Sequence, residues 1–345
     1  MLRLLIRFRR WFIHTVRDRL LAFVMGVGIA FVLLCAVCLA VMLLPQFISN
    51  LVEDHKDFFT DDAWLGHKFN PNVRDQFTYP KGGDVIIQTT DEFGRRTTVQ
   101  PAGDDYSSFA IFAPDSMLFG VNVNDDQTVA SQFARITAGK KIKAYNYAVS
   151  GYGPNHFLAL MTDPRFPPGI SEKKGFVVYS FIDLHIERAA CWPFFFIVDP
   201  NTRLPRYVLA EDGSVQRAGV AIAKDVTYGA NLFSDDAKST WLGPYSDTNR
   251  RLAARILGQA KAEFQKRFDS QGFIVIFLNG SRSAKRMTEL LEPLGIHCLD
   301  YQSLVAGWCG DEPCLQPENS HPTASGNYAI AKKLVQDLAG FGVLP

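Results

Sequence analysis

The sequence predicts an α/β fold: a three-layer, doubly wound and mostly parallel five-stranded sheet, preceded by one transmembrane helix. Two observations support this prediction. Short apolar runs alternate with stretches of helical spacing between residues 108 and 340, and an uncharged run, Leu21 to Leu44, follows a basic amino terminus. Alternating strands and helices are typical of a parallel sheet that is covered on both faces.

The candidate strands are short, nearly continuous in apolarity and rich in β-branched or aromatic residues, as strands buried on both faces are. They are residues 109–113, 143–149, 175–182, 272–279 and 295–300. Helical spacing predicts helices over residues 127–138, 154–163, 247–268, 283–293 and 324–339. Ligands of such folds bind beyond the carboxyl ends of the strands, so we expect the functional site there.

The chain divides into four consecutive segments. They are a basic cytoplasmic tail (1–20), a transmembrane helix (21–45), a β-rich segment (46–105) and the α/β domain (106–345). An insertion at about 189–246 interrupts the domain, and we interpret it as a cover over the rim of the sheet. It contains a predicted hairpin at 206–219 and an aromatic run at 192–196, which we expect mainly in the core.

Charge is distributed unevenly along the chain. The whole sequence has a formal net charge of +1, but residues 1–20 hold six arginines against one aspartate, which leaves −4 for the remainder. A near-neutral chain provides no general field for nucleic acid, so we expect no nucleic-acid partner.

The apolar run at residues 21–44 would extend about 36 Å as a helix, enough for a hydrocarbon core of about 30 Å. It exceeds the roughly 7–15 residues of a signal-peptide core, which favours a retained anchor over a cleaved signal peptide or a buried helix. Positive charge before the run places the amino terminus in the cytoplasm. We therefore expect a single-pass protein of the bacterial inner membrane, with the lipid bilayer as a partner and the α/β domain periplasmic or extracellular.

Two of the six cysteines, Cys35 and Cys38, fall inside the proposed span. The other four are Cys191, Cys298, Cys309 and Cys314, and in an oxidising compartment they allow three pairings. The short loop between Cys309 and Cys314 is the favoured bridge. No CxxC spacing supports a zinc site, and we expect neither a metal nor a cofactor.

Residues that could carry chemistry lie where predicted strands end. The sequence has no HExxH, P-loop, GxGxxG after a strand or GxSxG, which removes support for metalloproteases, NTPases, Rossmann dehydrogenases and the commonest α/β hydrolases. Ser116 follows the first strand of the domain, His321 precedes the last helix, and Glu318 stands three residues earlier. A serine hydroxyl becomes a good nucleophile when an imidazole takes its proton and an acceptor orients that imidazole. The three residues form a candidate triad.

Three blocks resemble, in the right order, those of the SGNH or GDSL-type hydrolases. Residues 114–128 resemble the first block, residues 146–153 the second and residues 318–322 the last, and the resemblance covers roughly residues 106–340. It implies an SGNH or flavodoxin-like sheet without a cofactor. The implied site residues are the nucleophile Ser116, the general base His321, its acidic partner Glu318, and the backbone N–H groups of Ser116 and Gly151 as oxyanion donors.

The sequence departs from the family pattern at three positions. Pro114 replaces the glycine of the first block, Glu318 replaces an aspartate, and Ile182 stands where the third block has an asparagine. Isoleucine cannot donate a hydrogen bond to an oxyanion. Because losing one such donor typically costs about 10²–10³ in rate, weakened catalysis is compatible with this change.

Four further polar residues are candidates for the rim of the site: Asp115, Asn155, Asp183 and His185. Structural roles compete with this interpretation. Asp183 as a loop cap and His185 as a packed or solvated loop residue are the favoured alternatives, and helix capping is an equal alternative for Asn155.

We therefore expect a membrane-anchored, extracytoplasmic serine esterase or O-acyltransferase. It would use an acyl-serine intermediate on O-acyl groups, chiefly acetyl, of envelope or exported polysaccharide, a substrate class implied only by the resemblance. Envelope polysaccharide machinery is then an expected partner. Two alternatives stay open: a lipid-directed esterase of lysophospholipase type, and a catalytically inactive SGNH-fold scaffold of the envelope, which Pro114 and Ile182 favour.

Overall fold

The structure, a computed structural model, describes residues 58–79, 83–103, 105–166, 169–199, 201–224, 245–268 and 272–344, together with 25, 27, 28 and 32. The chain forms two units, Met1–Asp54 and His55–Pro345. Apart from those four helical positions, the predicted cytoplasmic tail and transmembrane helix lie outside the described residues. Within the described ranges, no helix combines the length and apolarity that crossing a bilayer requires.

Thirteen strands occur in the described part of the second unit. In chain order they are β1 (Phe59–Asp62), β2 (Gly66–Phe69), β3 (Arg74–Tyr79), β4 (Asp84–Thr89), β5 (Ser108–Ala113), β6 (Ile142–Asn146), β7 (Lys174–Phe181), β8 (Leu204–Leu209), β9 (Val215–Ala221), β10 (Gly272–Phe277), β11 (His297–Asp300), β12 (Trp308–Cys309) and β13 (Glu312–Pro313).

Five of these strands form the predicted parallel sheet, in the spatial order β11, β10, β7, β5, β6. Its central strands are buried almost throughout, because side chains on both faces pack into one apolar core. Strands β5 and β7 are neighbours in the sheet, and the order in which successive strands are added to the sheet reverses between them. In open α/β sheets the crevice at such a reversal is where ligands bind.

Helices cover the sheet in two groups. In chain order the helices are α1 (Ser116–Phe119), α2 (Val129–Ile136), α3 (Pro154–Thr162), α4 (Leu184–Ala189), α5 (Pro193–Val198), α6 (Asp247–Arg267), α7 (Ala284–Leu291), α8 (Gln302–Val305) and α9 (Ala324–Gly340). Helix α2 packs against α9, whereas α3, α4 and α7 all pack against α6. The α/β architecture with flanking helices is as predicted.

Smaller antiparallel hairpins lie outside the central sheet. β1 pairs with β2 and β3 with β4 in the segment predicted to be β-rich. β8 pairs with β9 where the insertion was predicted to form a hairpin. The aromatic run of the insertion lies largely in the short helix α5 and divides between environments: Phe196 is buried, whereas Phe194 is 51% exposed.

Candidate active site

Ser116 opens the single-turn helix α1 just beyond β5, at the reversal of the sheet. A cis peptide joins Ala113 to Pro114 at the end of the strand. Asp115 caps the turn by accepting a hydrogen bond from the N–H of Met117 at 3.2 Å. The turn closes at Gly120, whose φ of 84° is a left-handed conformation that favours glycine. The two caps fix where Ser116 emerges from the sheet.

The structure brings Ser116 together with His321, although the two residues are 205 positions apart. His321 Nε2 lies 2.8 Å from Ser116 Oγ, and both side chains are partly buried. This is within the range expected between a nucleophile and its general base. The imidazole can therefore accept the proton of the serine hydroxyl.

A buried glutamine joins the loop of the histidine to the loop of the serine. The Gln316 amide donates to the carbonyl oxygen of Val121 at 2.9 Å and to that of Pro322 at 3.2 Å. Its own side-chain oxygen accepts from the amide of Asn122 at 3.1 Å. Gln316 belongs to no motif, so no sequence signal pointed to it, yet it positions His321 relative to Ser116.

Glu318 does not bond to His321, in contrast to the role expected for it. Its carboxylate accepts a hydrogen bond from Tyr79 Oη at 3.0 Å and lies at the exposed surface. The turn between the two residues explains why Glu318 does not reach His321. Ser320 adopts a positive φ of 60°, and the Asn319 side chain accepts from the His321 N–H at 3.0 Å. The acidic residue and the imidazole thus leave the turn on different sides.

His321 Nδ1 is buried, and no described residue forms a hydrogen bond to it. Burial lowers the pKa of His321, an effect that the negative charge of Asp115 opposes and the positive charge of Arg188 reinforces. The imidazole is therefore neutral near pH 7, as a general base must be. When Nε2 accepts from Ser116, the remaining ring proton is on Nδ1.

Asp115, predicted at the rim of the site, is instead fully buried beneath it. Its carboxylate accepts from Ser180 Oγ at 2.6 Å and from His185 Nε2 at 3.0 Å, in addition to the N–H that it caps. His185 is equally buried, and its Nδ1 lies 3.3 Å from Tyr179 Oη. Both side chains therefore have structural partners, because the two ionisable groups satisfy one another inside the protein.

The charge states of this buried pair follow from its hydrogen bonds. Burial raises the pKa of the Asp115 carboxyl, but the hydrogen bonds from His185 and Ser180, together with the nearby positive charge of Arg188, outweigh it and hold that pKa below its usual range. Burial lowers the pKa of His185 in spite of Asp115. Asp115 is thus an anion, and neutral His185 donates from Nε2 while accepting from Tyr179 at Nδ1.

The two remaining rim candidates have structural partners. The Asp183 carboxylate accepts from Ser281 Oγ and from the N–H groups of Arg282 and Ser283, each at 3.1 Å, and so caps the turn before α7. Asn155 is fully buried, and its amide donates to the carbonyl oxygen of Pro205 at 2.9 Å. Asp183 thus follows the loop-cap alternative, and Asn155 fixes β8 to α3.

The expected oxyanion donors keep their backbone N–H groups available. Neither the N–H of Ser116 nor that of Gly151 donates to an acceptor in the described part of the chain. Gly151 adopts a φ of 87°, and a Cβ there would lie 3.6 Å from His67 Nε2. Its oxyanion role stays a prediction.

The cysteines also have defined places. A disulfide joins Cys309 of β12 to Cys314, directly after β13, whereas Cys191 and Cys298 are free thiols. Across the described ranges, no group of three or more histidine, cysteine or acidic side chains is arranged to hold a metal ion.

Comparison with known proteins finds similarity at the level of structure. No family model matches the sequence, and no curated protein matches it. An acetyl xylan esterase (Est2A) from the rumen bacterium Butyrivibrio proteoclasticus is similar in structure, with 13% sequence identity, 74% of this chain and 68% of that chain covered, and a TM-score of 0.37. The functional assignment accordingly depends on the geometry of the site itself.

Proposed function

We propose that this chain is a serine esterase or O-acyltransferase of the SGNH type, with Ser116 as nucleophile and His321 as general base. The distance of 2.8 Å between His321 Nε2 and Ser116 Oγ carries the proposal. A serine and a neutral imidazole in contact, at the reversal of a parallel sheet, form the minimal pair for acyl transfer. The same contact argues against an inactive scaffold.

In the proposed reaction, Ser116 Oγ attacks the carbonyl carbon of an O-acyl group while its proton moves to His321 Nε2. The N–H groups of Ser116 and Gly151 stabilise the resulting oxyanion. When the tetrahedral intermediate collapses, His321 returns the proton to the departing sugar oxygen. Water, or a second sugar hydroxyl, then gives its proton to His321 and attacks the acyl carbon. The bond from that carbon to Ser116 Oγ breaks as His321 returns the proton to Oγ, which releases the acid or the new ester and restores the enzyme.

A buried anion supports the imidazolium that forms during this reaction. The negative charge of Asp115 acts on His321 from beneath the site and opposes the lowering of its pKa. Asp115 therefore supplies at a distance part of the stabilisation that a directly bonded carboxylate provides in a triad. The missing direct bond and Ile182 both indicate a modest rather than a fast catalyst.

We further propose that the substrate is an acetylated polysaccharide of the cell envelope or an exported one. The basic segment and apolar run of residues 1–45 support a membrane anchor, which would hold the enzyme beside such material. A reporter that is active only in the periplasm, fused after residue 345, tests the topology. Signal from a cytoplasmic reporter alone would contradict it.

Labelling with a fluorophosphonate, which reacts with activated serines, tests the nucleophile. Full-length protein in detergent should be labelled, Ser116→Ala should not, and Ser303→Ala, at an exposed serine of α8, should be labelled like the wild type. Unlabelled wild type, or equal labelling of Ser116→Ala, overturns the catalytic proposal.

Product analysis then separates the substrate classes. We expect acetate release from acetylated glycans, and acetyl transfer instead of release when an acceptor glycan is present and water is excluded. Fatty-acid release from lysophospholipid, with no activity on acetylated glycans, would identify the lipid-directed alternative.

A further inference from the structure

A cleft of about 400 Å³ lies beside the proposed active site. Ser150 and Gly151 form part of its wall, and the N–H of the preceding Val149 donates to the carbonyl oxygen of Pro114 at 2.8 Å, two residues before Ser116. The lining thus includes Gly151, the second predicted oxyanion donor, although it does not include Ser116 or His321. The volume falls in the range of about 300–1,000 Å³ typical of small-molecule sites.

Arg188 is the cleft residue directed towards the catalytic pair. It follows His185 by three residues on α4, and residues three apart share one face of a helix. His185 contacts Asp115, directly before the nucleophile, so Arg188 lies on the same side of α4. Its stem also packs across Gly153, where an added Cβ would lie 3.0 Å from Arg188 Cβ. A larger residue at 153 would displace the arginine.

The guanidinium of Arg188 has no acidic partner within 4.0 Å in the described part of the chain, and its hydrogen bond there goes to a neutral acceptor, the carbonyl oxygen of Tyr152, at 2.8 Å. Its charge is one of the causes, after burial, that lower the pKa of His67 and His321. The main anion acting on it is Asp115, whose charge opposes the lowering of the Arg188 pKa by burial but which forms no direct ion pair with it. A partly buried guanidinium without a directly paired carboxylate leaves N–H donors for an anionic ligand.

The other charged residues of the cleft restrict which anion fits. Arg203 is paired with Asp61 at 3.4 Å, and Asp199 contributes a second carboxylate to the lining. Because Arg203 offsets the charge of Asp61, the carboxylate of Asp199 is the negative charge of the lining without an ion-pair partner among the described residues, and it disfavours a doubly charged phosphate more strongly than a singly charged carboxylate. Phe59 and Phe195 add apolar surface to the same cleft, which suits the faces of a sugar ring.

We propose that Arg188 binds a carboxylate of the substrate, so that the cleft selects acylated acidic sugars, such as O-acetylated uronic acids, over neutral ones. The inference rests on the proposed function, because it places the acidic sugar next to the ester that Ser116 attacks. A guanidinium matches a carboxylate with two parallel N–H···O hydrogen bonds, and such charge-assisted pairs are strong.

Binding to the full-length Ser116→Ala variant tests this selectivity without requiring catalysis. The probes are acetylated galacturonic acid oligomers and acetylated xylose oligomers of equal length, titrated calorimetrically. We expect the acidic probe to bind more tightly and Arg188→Gln to weaken its binding by about 10–100-fold, the range for hydrogen bonds to a charged group. Binding of the neutral probe should change by less than about threefold.

Two further variants complete the test. Arg188→Lys keeps the charge without the two-pronged geometry and should lose less affinity than Arg188→Gln. Arg206→Gln removes an exposed charge of β8 outside the cleft lining and should leave binding of both probes unchanged. Unfolding temperatures show whether each variant folds.

The role of Arg188 is overturned if Arg188→Gln loses the same affinity for both probes, or if the parent Ser116→Ala variant does not prefer the acidic probe. Should Arg188→Gln fail to fold, the probe preference of the parent variant and the effect of Arg188→Lys still decide the question. Fluorophosphonate labelling of the chain with intact Ser116 separates this failure from failure of the proposed function. If the enzyme is labelled but does not prefer the acidic probe, the catalytic proposal stands and the role of Arg188 does not.

Discussion

Two histidines near the carboxyl ends of the sheet strands have opposite surroundings. His185 is fully buried and bonded at both ring nitrogens, to the Asp115 carboxylate and to the Tyr179 hydroxyl. His321 is partly buried and bonded to the Ser116 hydroxyl through Nε2, whereas its Nδ1 has no partner among the described residues. The protein thus contains a histidine–carboxylate pair and a histidine–serine pair, but on different imidazoles.

This difference separates positioning from reactivity. The fully bonded His185 is held in one tautomer and stabilises the anion that caps the turn of Ser116. His321 instead takes and returns a proton at Nε2, which contacts the Ser116 hydroxyl, while its Nδ1 has no partner among the described residues. A buried polar group left without a partner costs about 1–3 kcal/mol, so a site that retains one sacrifices stability where chemistry is performed.

Replacing His321 should have the largest effect. We expect His321→Ala to reduce esterase activity by about 10³-fold or more, because a serine nucleophile without its general base loses most of its rate enhancement. The free energy of unfolding should change by less than about 1 kcal/mol, since the lost hydrogen bond joins two partly buried groups. Initial rates on acetylated glycan and urea unfolding measure the two quantities. Retention of more than a tenth of the activity would remove His321 from the mechanism.

Replacing His185 should act mainly on stability. His185→Phe removes the donor and leaves the buried Asp115 anion without its main partner, which costs about 3–5 kcal/mol by analogy with broken buried pairs. His185→Gln retains a donor and should recover part of that loss. His297→Phe makes the same chemical change at an exposed site of β11 and should cost less than about 0.5 kcal/mol.

Denaturant unfolding measures these three variants side by side. Equal destabilisation by His185→Phe and His297→Phe would show that the carboxylate pair contributes nothing to stability. The contrast between the buried His185 and the exposed His297 would then have no physical basis.

Replacing Glu318 should have a small effect, which distinguishes the observed geometry from a complete triad. In the structure its carboxylate bonds to Tyr79. We therefore expect Glu318→Gln, and likewise Tyr79→Phe, to lower kcat by less than about tenfold. A carboxylate that orients the base costs about 10⁴-fold when it is replaced by its amide. A loss of that size in Glu318→Gln, with Tyr79→Phe unaffected, would show that Glu318 reaches His321 during catalysis.

The pH profile should show the smallest but most diagnostic effect. Burial lowers the pKa of His321, and the base acts only when neutral, so kcat/KM should stay high to below pH 6.5 and fall as the pH drops through the lowered pKa. An acid limb with its midpoint above 6.5 would instead indicate a carboxylate bonded to Nδ1.

Stability must be measured over the same pH range, as a control. His67, His156, His185 and His321 all have a pKa lowered by burial. The unfolded chain therefore binds more protons than the folded one below about pH 6.5, and the free energy of unfolding decreases as the pH falls. Activity and stability profiles that coincide would assign the acid limb to unfolding rather than to the base.

The sheet was predictable from the sequence because strands buried on both faces leave a continuous apolar signal. Runs such as 109–113 and 175–182 correspond to β5 and β7 within a residue or two. The one-turn and two-turn helices α1, α4 and α5 were not predicted, since so few residues carry no helical period. Their caps and burial come from contacts distant in the sequence.

The site was predictable only in part. The positions of Ser116 and His321 followed from the rule that functional residues lie beyond the carboxyl ends of strands. The partners of Asp115 and Glu318 did not, because a hydrogen bond depends on the direction in which each side chain leaves its turn. Gln316 and Arg188 carried no signal at all, since one glutamine or arginine in a loop or helix is an ordinary surface residue until the fold buries it.

By itself the sequence determined the order of strands and helices and the two residue types that acyl transfer needs, because apolar periodicity and chemical identity are local properties. Tertiary structure alone decided which imidazole faces the hydroxyl, which one bonds the carboxylate, and which arginine lines the cleft without a directly paired carboxylate. Those outcomes depend on distances of about 3 Å between residues many positions apart, and only the packed sheet and its loops fix such distances.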